Sequence, residues 1–337
     1  MGDILHSIPG ASALRQAHPD WVLSWAVEPR WQGLFRAGSE TQFRGDAMPL
    51  VDQVHIVNAK GWARRPLHPA TLKEIASVRR ELREARYDVC VDLQGAVRSA
   101  LIGRSVGAAR MIGEAEPRED AAKWFFSERI KTAGRHVIEQ STEVLNAIVG
   151  ERLPTTPSLL PRDAAAEAWV ASLLSDRVKA PFVVINPGAG WGAKRWPVDR
   201  YGAVAKGLSA LGFGMVVNAG PEEVDLAREV VAASDGTAIF AVPSLVELIA
   251  LMRRSSLTIA GDTGPLHLAC ALGKPVVGIF GPTDPARNGP YGCDFRVLRH
   301  PESKRDHSRR REPEAGLLTI TPEEVLGAAV ELLEGHT

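Results

Sequence analysis

The apolar positions of this chain change period repeatedly, and the changes read as strand following helix. Leu72, Ile75, Val78 and Leu82 recur at helical spacing within a charged segment, which predicts an amphipathic helix over 70–85. A helix is also predicted over 7–17. The short apolar runs 21–27, 54–57 and 87–92 read as strands. The last of them leads through Leu93-Gln94-Gly95-Ala96 into a helix ending near Ser105. Helices are predicted over 123–130 and 137–149. Prolines at 154, 157 and 161 then interrupt the pattern as a connector. Beyond it a helix over 164–174 opens a second alternating series. Its strands are predicted at 182–186, 215–218, 238–241, 257–260 and 276–280, and its helices at 200–211, 222–233 and 245–253. Residues 300–314 are charged and poor in apolar side chains, so they read as a solvated loop. A last helix over 322–333 is capped by Thr321, with Glu324 completing a capping box. Strands and helices that alternate in two series predict an α/β protein with two Rossmann-like parallel-sheet domains facing across a cleft.

Composition narrows the function classes. The 337 residues suffice for two domains. Lys plus Arg and Asp plus Glu are both 40, so global charge gives no reason to expect a nucleic acid, and anion binding has to be local. Cys90, Cys270 and Cys293 are too scattered for a disulfide framework or a zinc cluster, and Cys90 and Cys270 lie in apolar runs that suit a core. No apolar run reaches the roughly 18 residues of a membrane span. The opening Met1-Gly2-Asp3-Ile4-Leu5-His6 lacks the features of a signal peptide, so a cytoplasmic protein is expected.

The candidate chemistry is concentrated between Ile259 and Asn288. A buried strand meets the turn Gly261-Asp262-Thr263-Gly264, and Pro265 suits the first position of the helix that follows. N–H groups at that helix start would form an anion site, and Gly264 allows close backbone approach. A second strand leaves through Gly281-Pro282-Thr283-Asp284-Pro285. Two such loops at neighbouring strand ends describe the edge at which parallel sheets bind nucleotides.

The chain resembles glycosyltransferase family 9, the bacterial lipopolysaccharide heptosyltransferases, and within it most closely heptosyltransferase I. Five landmarks in family order carry the resemblance: Gly2-Asp3-Ile4-Leu5-His6, 87–95 (Tyr-Asp-Val-Cys-Val-Asp-Leu-Gln-Gly), Lys194-Arg195-Trp196-Pro197, 262–267 (Asp-Thr-Gly-Pro-Leu-His) and 281–285 (Gly-Pro-Thr-Asp-Pro). The resemblance implies a GT-B fold. It assigns residues 1–155 to an acceptor-binding domain without its first strand, 165–320 to an ADP-sugar domain and 321–337 to a C-terminal helix. It also implies inverting transfer of L-glycero-D-manno-heptose from ADP-heptose to Kdo of the inner core. The acceptor would be of Kdo-lipid A type, at the cytoplasmic face of the inner membrane. No cofactor or metal is implied, and the sequence contains no Asp-x-Asp.

Residue roles follow from the same resemblance. Asp3 would be the general base, although on residues alone it could equally cap a helix. Lys194 would meet the pyrophosphate leaving group. Glu223, Asp262, Thr263, Gly264 and His267 would bind the donor. Glu223 could instead stabilise a helix start, and His267 could be a packed neighbour of the site. Lys60, Arg64, Arg65 and Arg118 lie where acceptor contacts are implied, and Arg suits a carboxylate. His6 is either a ligand contact or a partly buried histidine. The segment 186–192 (Asn-Pro-Gly-Ala-Gly-Trp-Gly) lacks the threonines implied for phosphate contact and offers backbone N–H groups. Three other functions fit parts of this pattern: transfer to a heptosylated core, as by heptosyltransferase II; non-catalytic ADP-sugar binding; and nucleotide-sugar epimerisation.

Overall fold

Every ladder between the strands named below is parallel in the computed structural model, which describes residues 1–38, 41–154, 156–303 and 312–335. The chain divides into two compact units. One is Met1 with Asp3–Pro161, and the other is Arg162–Thr337 with Gly2.

The first unit opens with α1 (Gly2–Ala17), which buries Leu5, Ile8 and Leu14. Next come β1 (Ser24–Val27), β2 (Gln53–Ile56), α2 (Ala59–Arg64), α3 (Pro69–Glu84), β3 (Val89–Asp92), α4 (Val97–Val106), β4 (Arg110–Glu114), β5 (Glu128–Ile130) and α5 (Val137–Val149). The strands form two sheets, β1-β2 and β3-β4-β5. Val89, Cys90 and Val91 are only half-buried although apolar.

One side-chain chain links the elements of this unit. His55 on β2 is buried. Its Nδ1 lies 2.5 Å from the Glu81 carboxylate on α3, and its Nε2 lies 2.6 Å from the Tyr87 hydroxyl just ahead of β3. The tautomer that satisfies both has Nδ1–H donating to Glu81 and the Tyr87 hydroxyl donating to Nε2. Tyr87→Phe leaves that buried nitrogen without a donor, which costs about 1–3 kcal/mol. The expected result is a thermal unfolding midpoint several degrees lower by circular dichroism; an unchanged midpoint would show that the bond adds no stability.

The second unit comprises α6 (Ala164–Arg177), β6 (Phe182–Asn186), α7 (Val198–Ala210), β7 (Gly214–Asn218), α8 (Val224–Ala233), β8 (Ala238–Ala241), α9 (Leu245–Arg254), β9 (Leu257–Gly261), α10 (Gly264–Ala271), β10 (Val276–Phe280), α11 (Pro285–Asn288), β11 (Phe295–Arg299) and α12 (Pro322–Glu334). Its six strands run in the order β11-β10-β9-β6-β7-β8. Strands β6, β7, β9 and β10 are buried at every position. Alternate residues Val183, Ile185, Met215, Val217, Leu257 and Ile259 share one core with Tyr201 and Leu208 of α7, Val230 of α8 and Val325 and Ala329 of α12. Each large aliphatic side chain buried this way stabilises the unit by about 1.5–3 kcal/mol. The chain winds from β6 outward through β7 and β8, then crosses to β9 on the other side. The strand order therefore reverses between β6 and β9, and that reversal opens a crevice at their carboxyl ends.

The structure corrects several expectations. Residues 123–130 are not a helix: a 3-10 turn, Asp120–Phe125, precedes β5. Pairing with β4 decides this, together with Phe126, whose ring lies so close to Gly113 that a methyl group there would fall 2.3 Å from it. The predicted stripe on α3 is mostly not core, because Leu82 is buried but Leu72 is 50% exposed. Strand β11 was not expected. Of the solvated loop predicted over 300–314, residues 304–311 lie outside the described residues.

Candidate active site

Three loops meet at the carboxyl ends of β9, β6 and β7, which are adjacent in the sheet. The β9 loop carries Asp262, Thr263 and Gly264, and Thr263 is the N-cap of α10. Its side chain does not cap; the hydroxyl donates to the Gly261 carbonyl at 3.2 Å. The first N–H groups of α10 have no intrahelical acceptors, the arrangement that suits a helix start to an anion. The β6 loop runs from Asn186 to Lys194. The motif around Lys194 is anchored by Trp196, which is 2% exposed, packs edge-on against Tyr201 and donates through Nε1 to the Ile320 carbonyl at 3.0 Å. The β7 loop ends at Glu223, whose carboxylate accepts the Gly220 N–H at 3.2 Å. Glu223 also presses on the β6 loop: a methyl group at Gly188 would fall 2.2 Å from its Oε1. A side chain there would displace the Glu223 carboxylate.

Charge in this site is tightly organised. Lys194 Nζ is ion-paired with the Asp262 carboxylate, also approaches the Asp262 carbonyl at 3.4 Å and stands 4.3 Å above the Trp191 ring. His267 on α10 donates from Nε2 to the other Asp262 oxygen at 3.1 Å. The side chains of Lys194, Asp262 and His267 are 11%, 10% and 6% exposed. Burial works to raise the Asp262 carboxyl, but the hydrogen bond and charge of His267, followed by those of Lys194, outweigh it and hold Asp262 well below the usual carboxylate range. An ammonium has three N–H donors. With Asp262 and its carbonyl engaged, Lys194 keeps one for a ligand oxygen.

In the first unit Asp3 lies in the first turn of α1 and makes no cap. Its Oδ2 accepts from Arg118 at 2.9 Å, and the two side chains are 60% and 62% exposed. Arg118 is held by the β3 exit. Buried Asp92 accepts the N–H groups of Gln94 and Gly95 at 2.8 and 3.0 Å and is further held by Ser99. Burial raises the Asp92 carboxyl, and those hydrogen bonds partly oppose the rise. Gly95 has φ +62°, and a side chain there would meet the Arg118 N–H at 2.9 Å. Its carbonyl accepts from Glu119 at 2.8 Å. Lys60 and Arg64 are exposed on α2, and Arg65 follows as its C-cap. Burial lowers the pKa of the Met1 amine, Asp3 opposes the fall, and the nearby charges of Arg30 and Lys60 add to it.

These observations define a polar cluster at the carboxyl edge of the six-stranded sheet and a carboxylate–arginine pair in the first unit, and comparison with known proteins decides the family. A family model described as glycosyltransferase family 9 (heptosyltransferase) matches residues 75–317. The chain belongs to glycosyltransferase family 9. Lipopolysaccharide heptosyltransferase 1 of Pseudomonas aeruginosa is 26% identical over 304 residues, covering 87% of this chain and 79% of the relative. Lipopolysaccharide heptosyltransferase 3 of Escherichia coli K12 is also 26% identical, over 290 residues, with 84% and 80% covered. The structure of E. coli heptosyltransferase WaaC with ADP matches at a TM-score of 0.80 and 23% identity, covering 98% of this chain and 97% of that one, which establishes a common fold.

Within this family 9 glycosyltransferase, the expected donor residues Lys194, Asp262 and His267 form one cluster, with Thr263 and Gly264 on the same loop and Glu223 on the loop of β7. Asp3 and Arg118, expected in different roles, contact each other. Three residues with no role assigned from sequence join the site: Trp191 under Lys194, and the buried amides Asn186 and Asn218. Asn186 and Trp191 lie in the segment 186–192 that sequence marked only for its backbone N–H groups; nothing in sequence pointed to Asn218. No group of three or more His, Cys, Asp or Glu is arranged for a metal among the described residues.

Proposed function

We propose that this glycosyltransferase transfers L-glycero-D-manno-heptose from ADP-heptose to Kdo of the lipopolysaccharide inner core, with inversion. The observation that carries the reading is the Lys194–Asp262–His267 cluster beside the α10 N-terminus. In the proposed reaction the pyrophosphate lies on the first N–H groups of α10, and Lys194 meets the charge that grows as the glycosidic bond breaks. Glu223 and Asp262 accept hydroxyls of ribose or sugar. Asp3 takes the proton of the acceptor hydroxyl. Arg118, with Lys60 and Arg64, binds acceptor carboxylates or phosphates. A Kdo carboxylate would compete with Asp3 for Arg118 and leave the Asp3 carboxylate free as the acceptor arrives. The proposed place of action is the cytoplasmic face of the inner membrane, and no described helix is long and apolar enough to cross one.

Equal identity to the heptosyltransferase 1 and 3 relatives supports a second reading, transfer to an already heptosylated core. Incubating the protein with ADP-heptose and either Kdo-lipid A or heptosylated core, with products read by mass spectrometry, separates the two. One added heptose on Kdo-lipid A is the expected result. Product on the heptosylated core alone would replace the first reading by the second.

A further inference from the structure

The carboxyl edge of the six-stranded sheet contains two buried amides that the proposed chemistry does not use. Asn186 ends β6 and Asn218 ends β7, and they are 3% and 4% exposed. The ladder pairs Ile185 with Val217, which sets the two amides side by side. Asn218 Nδ2 donates to Asn186 Oδ1 at 2.7 Å. Asn186 Nδ2 then donates to the Gly188 carbonyl at 3.2 Å and approaches Thr263 Oγ1 at 3.5 Å. The hydroxyl of Thr263 already donates to Gly261, so toward Asn186 it can only accept. The sequence of donors therefore runs one way, from Asn218 through Asn186 to the other two loops.

We infer that Asn218 is a positioning residue for the nucleotide-diphosphate site. It fixes which way the Asn186 amide faces, and Asn186 in turn sets the Gly188 turn and the Thr263 helix start. The two side chains thus tie together the loops of β7, β6 and β9. Burying two amides at one sheet edge is unfavourable unless their polar groups find partners, and here the Asn186 oxygen accepts from Asn218 while the Asn186 N–H groups turn to Gly188 and Thr263. Gly188 is the turn against which Glu223 rests, so the tie extends to an expected ligand contact. If the Asn186 amide turned over, its oxygen would face the Gly188 carbonyl and Thr263 Oγ1 would lose a donor. The loops would then have to separate, and the preformed anion site would be lost.

The inference rests on the donor-site reading above, and its test separates the two. ADP affinity is measured by calorimetry on the full chain, with kcat and donor KM alongside and a thermal midpoint for each variant. Wild-type protein that fails to bind ADP would refute the donor-site reading itself. With wild-type binding established, Asn218→Asp places an acceptor against Asn186 Oδ1 and drives the flip. The expected result is ADP dissociation constant and donor KM both raised about tenfold, the effect of losing one or two buried hydrogen bonds, with kcat changed less than about twofold. Asn218→Ser keeps a donating hydroxyl and is expected to restore most of the affinity, to within about threefold of wild type. Should Asn218→Asp fail to fold, Asn218→Ala takes its place and is expected to weaken ADP at least about fivefold. Equal affinities for the serine variant and its non-donating counterpart, or a fall in kcat and midpoint with KM unmoved, would overturn the inference and leave the amides a purely structural role.

Discussion

Asp3→Asn is expected to lower kcat by about two to four orders of magnitude, the range for removing a general base. The replacement keeps the shape of the side chain and its contact with Arg118 but removes the capacity to take a proton. Stability should be almost unaffected. The Asp3–Arg118 pair is well exposed on both sides, and exposed pairs contribute about 0–1 kcal/mol. Donor KM and ADP affinity should also hold, because the residues proposed to bind the donor lie in the other unit. The signature is thus a large fall in kcat at an unchanged thermal midpoint and donor KM, read by steady-state assay and calorimetry. Turnover within a few-fold of wild type would remove Asp3 from the reaction and leave it the lesser role of a partner to Arg118.

The parts of this molecule that could be read from sequence are those whose determinants are local. Strands β6, β7, β9 and β10 lie in apolar runs because both faces of a central parallel strand are covered, and their predicted positions agree with the structure to within a residue. The edge strand β11 escaped because Phe295-Arg296-Val297-Leu298-Arg299 has exposed positions and no such run. Strand β5 escaped for a related reason. Glu128-Arg129-Ile130 has no strand signature of its own and is extended because β4 offers it a partner.

The candidate site divides along the same line. The strand, glycine turn and helix start at 259–268 is a contiguous pattern, and it could be read as an anion site without any structure. The polar pairings among the candidate residues span long stretches of chain. Lys194 meets Asp262 across 68 positions, Arg118 meets Asp3 across 115, and Asn218 meets Asn186 across 32. Periodicity reports which face of an element is buried, but not which polar side chains are brought together at a strand end. His267 illustrates the limit. On sequence it was either a ligand contact or a packed neighbour of the site, and the structure shows its Nε2 already committed to Asp262.

That commitment shapes the second large effect. Lys194→Ala is expected to lower kcat by about two to three orders of magnitude, comparable to removing one preorganised donor from a developing anion. Unlike the Asp3 change it should also destabilise the protein. Lys194 and Asp262 are nearly buried, and truncating one member of a buried pair leaves the other charge uncompensated at a cost of about 3–5 kcal/mol. The cost here should fall below that range, since His267 still donates to Asp262. Lys194→Arg should not rescue activity. The planar guanidinium needs more room than a compact ammonium, and the site above Trp191 is closed by the ring on one side and Asp262 on the other. The assay pairs kcat and ADP affinity with the thermal midpoint for both variants. Full activity in Lys194→Arg would mean that positive charge alone is required and that the cradle of Trp191 and Asp262 is not. A lowered midpoint with kcat unchanged in Lys194→Ala would make the cluster a structural pin and transfer the stabilisation of the leaving group to the backbone N–H groups of α10.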